Sequence, residues 1–431
     1  MKKATLYLVL CCLFMACTKD EIVEIVPSPR DGLNFRIERV INDSTIELRW
    51  NPFPGKDFRK YMLVRQATYL NKGKMETIST PVDSSKDVTH TSFTETKMPF
   101  ARDIYYSLYV YQDSMPRNPV WGSVYYQRLN TFLQATPTDV LIDLQRKWVY
   151  ITESQKVHIV DYANSKVLLS KSFPSAIGYC SLGELNGAKE FYVPTADGWL
   201  QIHDAATLEL KDRIYVAGYG IGSVAAKKGK LFVGSSEKSA GGYSNCIKVY
   251  DRVTKELVGR TGYWDRTRVV PLESNGNTIE MIDVTLNIIP VSLGYYSFNA
   301  DGVPLEKRED DFHGDFRVDP SIVRSFPDGS RLITSSYGTV LNKSLGFDRY
   351  LKEYGSYSDF AFNETGSIIY AASATAKKID VITYPGTTNT GNYPTSNYPY
   401  KIFRDGQSLV AVGKLTLNSQ NTYLFIEKID L

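Results

Sequence analysis

Histidine is nearly absent from this chain of 431 residues, which carries only His90, His158, His203 and His313. They are scattered, and neither H-E-x-x-H nor a zinc-type C-x-x-C occurs, which removes the common zinc hydrolases. G-x-S-x-G is also missing, and with it the nucleophile elbow of the serine hydrolases. Of five cysteines, three fall within the first 17 residues, leaving only Cys180 and Cys246 for the body of the chain. That is too few for a disulfide scaffold, although one bridge or two buried thiols both remain open. There is no charge of one sign either: 50 basic residues face 47 acidic ones. Long-range attraction to nucleic acid is therefore not expected. Beyond the N-terminus no run approaches the ~18 apolar residues of a membrane-spanning helix.

What is present begins with MKKATLYLVLCCLFMA, two lysines followed by an uncharged, mostly apolar stretch. It has the layout of a secretory signal over residues 1–16. Phe14-Met15-Ala16-Cys17 resembles a bacterial lipobox, with Phe14 at the position usually held by Leu. The resemblance implies that Cys17 is lipidated and becomes the N-terminus. Thr18 then leads into Lys19, Asp20 and Glu21, which resemble the export signal of surface lipoproteins of the Bacteroidota. Residues 17–31 would form a lipidated tether, and two or three acyl chains would anchor it stably. The expected location is the outer membrane, lipid-anchored and exposed at the surface.

Aromatic residues make up 13 % of the chain, 30 of them tyrosine, a composition suited to sheets. In STIELRWNPFPG (44–55), Ile46, Leu48 and Trp50 alternate with polar residues before two prolines end the strand. Further on, Tyr106, Leu108 and Val110 share one face of a second alternating run. Over residues 32–128 this succession resembles a fibronectin type III β-sandwich. The resemblance implies that Trp50 plugs the core. It also implies that Tyr105 or Tyr106 is the corner tyrosine, whose hydroxyl bonds the backbone.

From residue 129 onward the sequence repeats. A turn dipeptide containing glycine precedes a hydrophobic strand at Gly187, Gly229, Gly276, Gly329, Gly366 and Gly406. LQRKWVYITE (144–153) supplies an earlier copy without glycine. Seven units of this length match a seven-bladed β-propeller of four-stranded blades. A second marker lies one strand later: Asp161, Asp204, Asp251 and, in the fourth unit, Asn299 each stand six residues before an apolar residue. Such a side chain caps a tight turn by accepting backbone N–H bonds. The marker fades in units five to seven. These features resemble the YVTN/quinoprotein-like propellers over 129–431. The last unit ends one strand short, so YYQRLNTFLQA (125–135) is expected to supply it and close the ring. The fold class is thus all-β, a small sandwich followed by a seven-bladed propeller.

Chemistry is harder to find. His158 and His203 fall in third strands and read as structural. The acidic stretch REDDFHGDFRVD (308–319), with Glu309, Asp310, Asp311, Asp315 and Asp319, offers oxygen ligands without calcium-loop spacing. GYGIG (218–222) lacks the strand and helix of a nucleotide loop and reads as a flexible connection between blades. Asp265, flanked by Trp264 and Arg266, is the carboxylate to examine first. Tyr393, Tyr398 and Tyr400, in GTTNTGNYPTSNYPYK (386–401), are candidates to present aromatic rings to a sugar or peptide. No cofactor and no metal is expected. Two functions follow: a non-enzymatic surface lipoprotein that binds a glycan or an outer-membrane protein partner, as an accessory to Sus-like uptake, or a propeller enzyme acting on polysaccharide as hydrolase or lyase.

Overall fold

The computed structural model describes residues 32–431 except 43–44, 72–73, 100, 102, 114–119, 128–132, 165, 219, 237–244, 275, 287, 311–313, 353–354, 416 and 418–421. Cys17, Lys19, Asp20 and Glu21 lie outside the described residues, as do Asp311 and His313. Every regular element among the described residues is a strand. The chain divides near residue 129 into two compact units.

In the first unit, β1 (Arg36–Asn42), β2 (Thr45–Arg49), β3 (Phe58–Asn71), β4 (Lys74–Ser85), β5 (Ser92–Glu95), β6 (Asp103–Gln112) and β7 (Val120–Gln127) form two antiparallel sheets. Their orders are β1-β2-β5 and β4-β3-β6-β7. The alternation read from the sequence is the cause: Ile46 and Leu48 bury on one side of β2, and Ile104, Tyr106, Leu108 and Val110 on one side of β6. Both inward faces share one core. Trp50, 2 % exposed, fills its centre with Phe35, Tyr61 and His90 set edge-on around it. The corner tyrosine differs from expectation. Tyr105 is partly exposed and stacks on Tyr125. Tyr106 donates its hydroxyl to the Glu95 carboxylate at 2.6 Å, because the buried Glu95–Arg65 pair beneath it requires donors. The backbone-bonding hydroxyl belongs instead to Tyr61, which accepts from the Phe53 N–H at 2.7 Å and donates to the Val88 carbonyl.

The second unit contains seven four-stranded antiparallel sheets in chain order. Blades one to six cover residues 139–172, 181–215, 221–261, 267–309, 323–350 and 357–394. The glycine turns join the first and second strands of each blade. At Asn186-Gly187 both residues have positive φ, 50° and 78°, as a two-residue turn between right-twisted strands requires. In the first blade Lys147 holds the left-handed position at φ 62°, a conformation that costs a side chain of this kind roughly 1–2 kcal/mol.

The acidic markers join third to fourth strands and act as caps. Asp204 accepts from the N–H groups of Ala206 and Thr207 at 2.8 and 3.1 Å. Asp161, Asp251 and Asn299 repeat the pattern. In the fifth blade the role persists with a changed residue: Asn342 accepts from the Gly346 N–H at 3.0 Å. A bulge beside this turn recurs in the first six blades.

Each hydrophobic core of this unit lies between neighbouring blades rather than within one. Tyr150, Val157 and Ile159 of the first blade pack with Phe191, Val193 and Ala205 of the second. The series runs round to Val410, Val412 and Leu424 of the seventh, which meet Val140, Val149 and Ile151 of the first. Each valine, leucine, isoleucine or phenylalanine so buried contributes roughly 1.5–3 kcal/mol. The seventh blade consists of Tyr398–Asp405, Ser408–Lys414, Thr422–Asp430 and finally β8 (Leu133–Ala135). The N-terminal strand therefore closes the ring, pairing Leu133 with Leu424 and Ala135 with Thr422. It is shorter than the sequence implied, since Tyr125–Gln127 belong to β7.

Candidate functional site

Inner strands run from the inter-blade connections toward the glycine turns, so their first residues gather at one mouth of the central channel. That mouth is held by a repeated hydroxyl at the end of the second strand. Thr152, Thr195, Ser235, Thr285, Thr334 and Ser373 are all buried. Thr152 bonds both backbone groups of Asp139, and Thr334 both of Asp319. Ser235 accepts the Arg266 N–H at 3.1 Å. The sequence carried this signal in YITE, VPTA, VGSS, DVTL, ITSS and AAS, where the apolar pattern drew attention away from it.

Long charged side chains then fill the channel. Arg268, from the inner strand of the fourth blade, reaches Asp139 of the first at 2.8 Å and the Pro320 carbonyl at 2.7 Å. Its guanidinium lies 4.1 Å from the Tyr179 ring centroid. Arg324 of the fifth blade grips Asp359 of the sixth at 2.9 and 2.5 Å, and Asp359 also accepts the Ile402 N–H. Burial pushes the Asp359 carboxyl upward, but Arg324 and Lys401 outweigh it and hold the group below the usual carboxylate range. Lys401, 3 % exposed, donates to the Ser321 carbonyl at 2.5 Å. Tyr400 lies beside it, its centroid 5.5 Å from the Lys401 ammonium and 4.0 Å from that of Lys414. Burial pulls both lysines below their ordinary pKa and pushes the Tyr179 and Tyr400 phenols up.

The sequence-nominated residues divide accordingly. Tyr400 enters the channel, and Tyr398 opens the same inner strand with the Lys377 ammonium 5.5 Å from its ring. Tyr393 lies on the outer strand of the sixth blade and packs toward Tyr370. Trp264, Asp265 and Arg266 form the connection between the third and fourth blades. Asp265 is 2 % exposed, so it presents no carboxylate to solvent. Arg266 takes φ 58° and its carbonyl accepts the Leu286 N–H, which makes this tripeptide a packed corner. In the connection before the third blade, a Cβ at Gly220 would fall 2.5 Å from the Ala196 carbonyl oxygen, and one at Gly222 2.7 Å from that of Ser235. Close backbone approach explains the glycines there.

Other residues play structural parts. His158 bonds Ser170 and Glu153, and His203 bonds the Leu208 carbonyl and Gln201. Cys180 and Cys246 are both buried free thiols. Asp319 accepts the N–H and hydroxyl of Ser321. No three His, Cys, Asp or Glu side chains among the described residues converge as a metal set. Two acids were not foreseen. Asp283 stands at an apolar position of the repeat, is wholly buried, and has its pKa pushed up to about 8 by that burial, so it is protonated at neutral pH. Burial likewise pushes Glu427 up to about 7, against the opposing Ser396 N–H bonds at 3.1 Å.

No family model matches the chain, and no curated protein matches it. Among solved structures it is similar to a chain of the hydrazine synthase of Kuenenia stuttgartiensis, with a TM-score of 0.51 and 15 % identity. The match covers 69 % of this chain and 96 % of that one. The likeness is one of fold. It agrees with the all-β, multi-bladed architecture and carries no activity across.

Proposed function

We propose that this chain is a non-enzymatic lipoprotein of the outer-membrane surface. Its propeller binds a ligand or partner at the connection-face mouth of the channel, as an accessory to Sus-like glycan uptake. The first unit, whose strand order follows the fibronectin type III pattern, serves as a spacer. The observation that carries the binding assignment is the pairing inside the channel. Asp139 and Asp359 are each committed to an arginine. A glycosidase instead needs one carboxyl held protonated as general acid, and Asp359 is shifted the other way. Phe14-Met15-Ala16-Cys17 and the following Lys19, Asp20 and Glu21 support the anchor and its outward display.

A polysaccharide-cleaving reading retains one handle, Glu427, whose carboxyl is pushed into the range of a general acid. A glycan array probed with the full chain, run beside a reducing-end and unsaturated-product assay, separates the two. Binding without turnover is expected; product formation that disappears in Glu427→Gln contradicts the binding assignment. For the anchor, palmitate labelling of cells should be lost in Cys17→Ser. Protease treatment of intact cells should degrade the wild-type chain and spare a variant with Lys19, Asp20 and Glu21 replaced by alanine.

A further inference from the structure

The charges at the channel mouth do not close on themselves. Arg268 is satisfied by Asp139 and Arg324 by Asp359. Lys401 and Lys414 have no carboxylate within ion-pair distance among the described residues. Lys401 donates to a neutral carbonyl, and the Lys414 ammonium rests on the face of Tyr400. Asp319 is turned onto Ser321, and Glu427 accepts the Ser396 N–H at 3.1 Å with Lys377 as its cationic neighbour. Burial pulls both ammonium groups down; at Lys401 the Asp359 and Asp139 carboxylates oppose that shift, whereas Lys414 shows no such compensation among the described residues.

These cations form a strip with aromatic rings. Tyr398 and Lys414 face each other across the strand pair, Lys377 stands beside Tyr398, and Tyr400 separates Lys414 from Lys401. Immediately before Tyr398, Asn397 is wholly buried, with neither its side-chain oxygen nor its nitrogen bonded to any described residue. A buried amide with its side-chain capacity unused, close to the uncompensated Lys414 ammonium, fits a ligand that brings both an anion and hydroxyl groups.

We infer that the seventh-blade side of the channel mouth binds an acidic saccharide, a sugar carrying a carboxylate or sulfate. Lys414 takes the oxyanion, and Tyr398 offers a ring face to the sugar. This inference rests on the ligand-binding reading above and narrows it to one chemical class. The bound anion would restore Lys414 toward its ordinary pKa, and binding weakens as salt screens the attraction.

The test is calorimetric titration of the full chain in detergent with trigalacturonate, its neutral methyl ester, and a sulfated galactose trisaccharide. The acid should bind at least about tenfold more tightly than the ester. That preference should vanish in Lys414→Met and return in Lys414→Arg, with melting temperatures compared to show that each variant is folded. Tight binding of the sulfated sugar assigns the site to oxyanions in general, and its failure beside a tight uronate assigns it to carboxylates. Equal affinity for acid and ester, or a preference that survives Lys414→Met, overturns the inference and leaves saccharide binding standing. No binding of any of the three overturns the glycan reading as well.

Discussion

The two faces of the propeller are built on different principles. On the turn face the repeated caps are local: Asp204 caps N–H groups two and three residues ahead, Asp161 and Asp251 do the same, and ion pairs such as Lys147 to Asp405 and Arg252 to Glu190 join neighbouring blades. On the connection face the charged contacts cross the channel from Arg268 to Asp139 and from Lys401 to Ser321, and link neighbouring blades from Arg324 to Asp359. The local contacts recur in most blades and set the fold. The long-range ones occur once each and give the channel mouth its individual chemistry.

The largest effect should come from breaking the ring, where both principles meet. Deleting residues 423–431 removes most of the partner strand of β8 and takes Leu424 and Ile426 out of the core between the seventh and first blades. Thermal melting should show no cooperative folded propeller; an unchanged transition contradicts closure by β8.

Next comes the channel. Arg268→Ala strands the buried Asp139 carboxylate and should cost about 3–5 kcal/mol in urea unfolding. Arg268→Met combined with Asp139→Leu should recover most of that loss. If the single substitution is silent, the spanning contacts are not stabilising.

Asp283 gives a pH signature. Its folded pKa, about 8, lies above the ordinary 3.8, so the native state keeps a proton that the unfolded chain has released. Stability from this group is full below about pH 4 and declines by about 1.4 kcal/mol per pH unit until pH passes 8. Melting measured from pH 5 to 9 should show this decline in the wild type and a flatter profile in Asp283→Asn. Parallel profiles would mean that Asp283 does not hold its proton.

Smallest of all, Asp204→Ala should cost about 1 kcal/mol through the loss of two local bonds. The same change at Asp251 should add to it almost independently. A loss as large as that of Arg268→Ala would erase the distinction between the faces.

This contrast also explains what could be read from the sequence. Periodic features were legible because each blade repeats them: the turn glycines, the acidic caps, and the alternation that buries Val149, Ile202 and Val249. Even Asn342, which replaces the faded cap, is intelligible once its turn is seen. The channel was not legible, because pairing Arg268 with Asp139 depends on ring closure, which no local pattern encodes. Asp265 was nominated for the aromatic and basic residues that flank it; its burial follows from the corner made by Arg266. Tyr400 was found for its residue type, whereas its lysine neighbours come from different positions of two strands and share no motif.

The most direct test of the claim that ligand recognition belongs to the connection face is a matched pair of charge removals. Lys414→Met alters the channel mouth, and Lys228→Met alters an exposed glycine turn on the opposite face. Titrated with trigalacturonate, the first should lose at least about tenfold in affinity and the second should match the wild type. Equal losses, or a loss confined to Lys228→Met, would contradict the account.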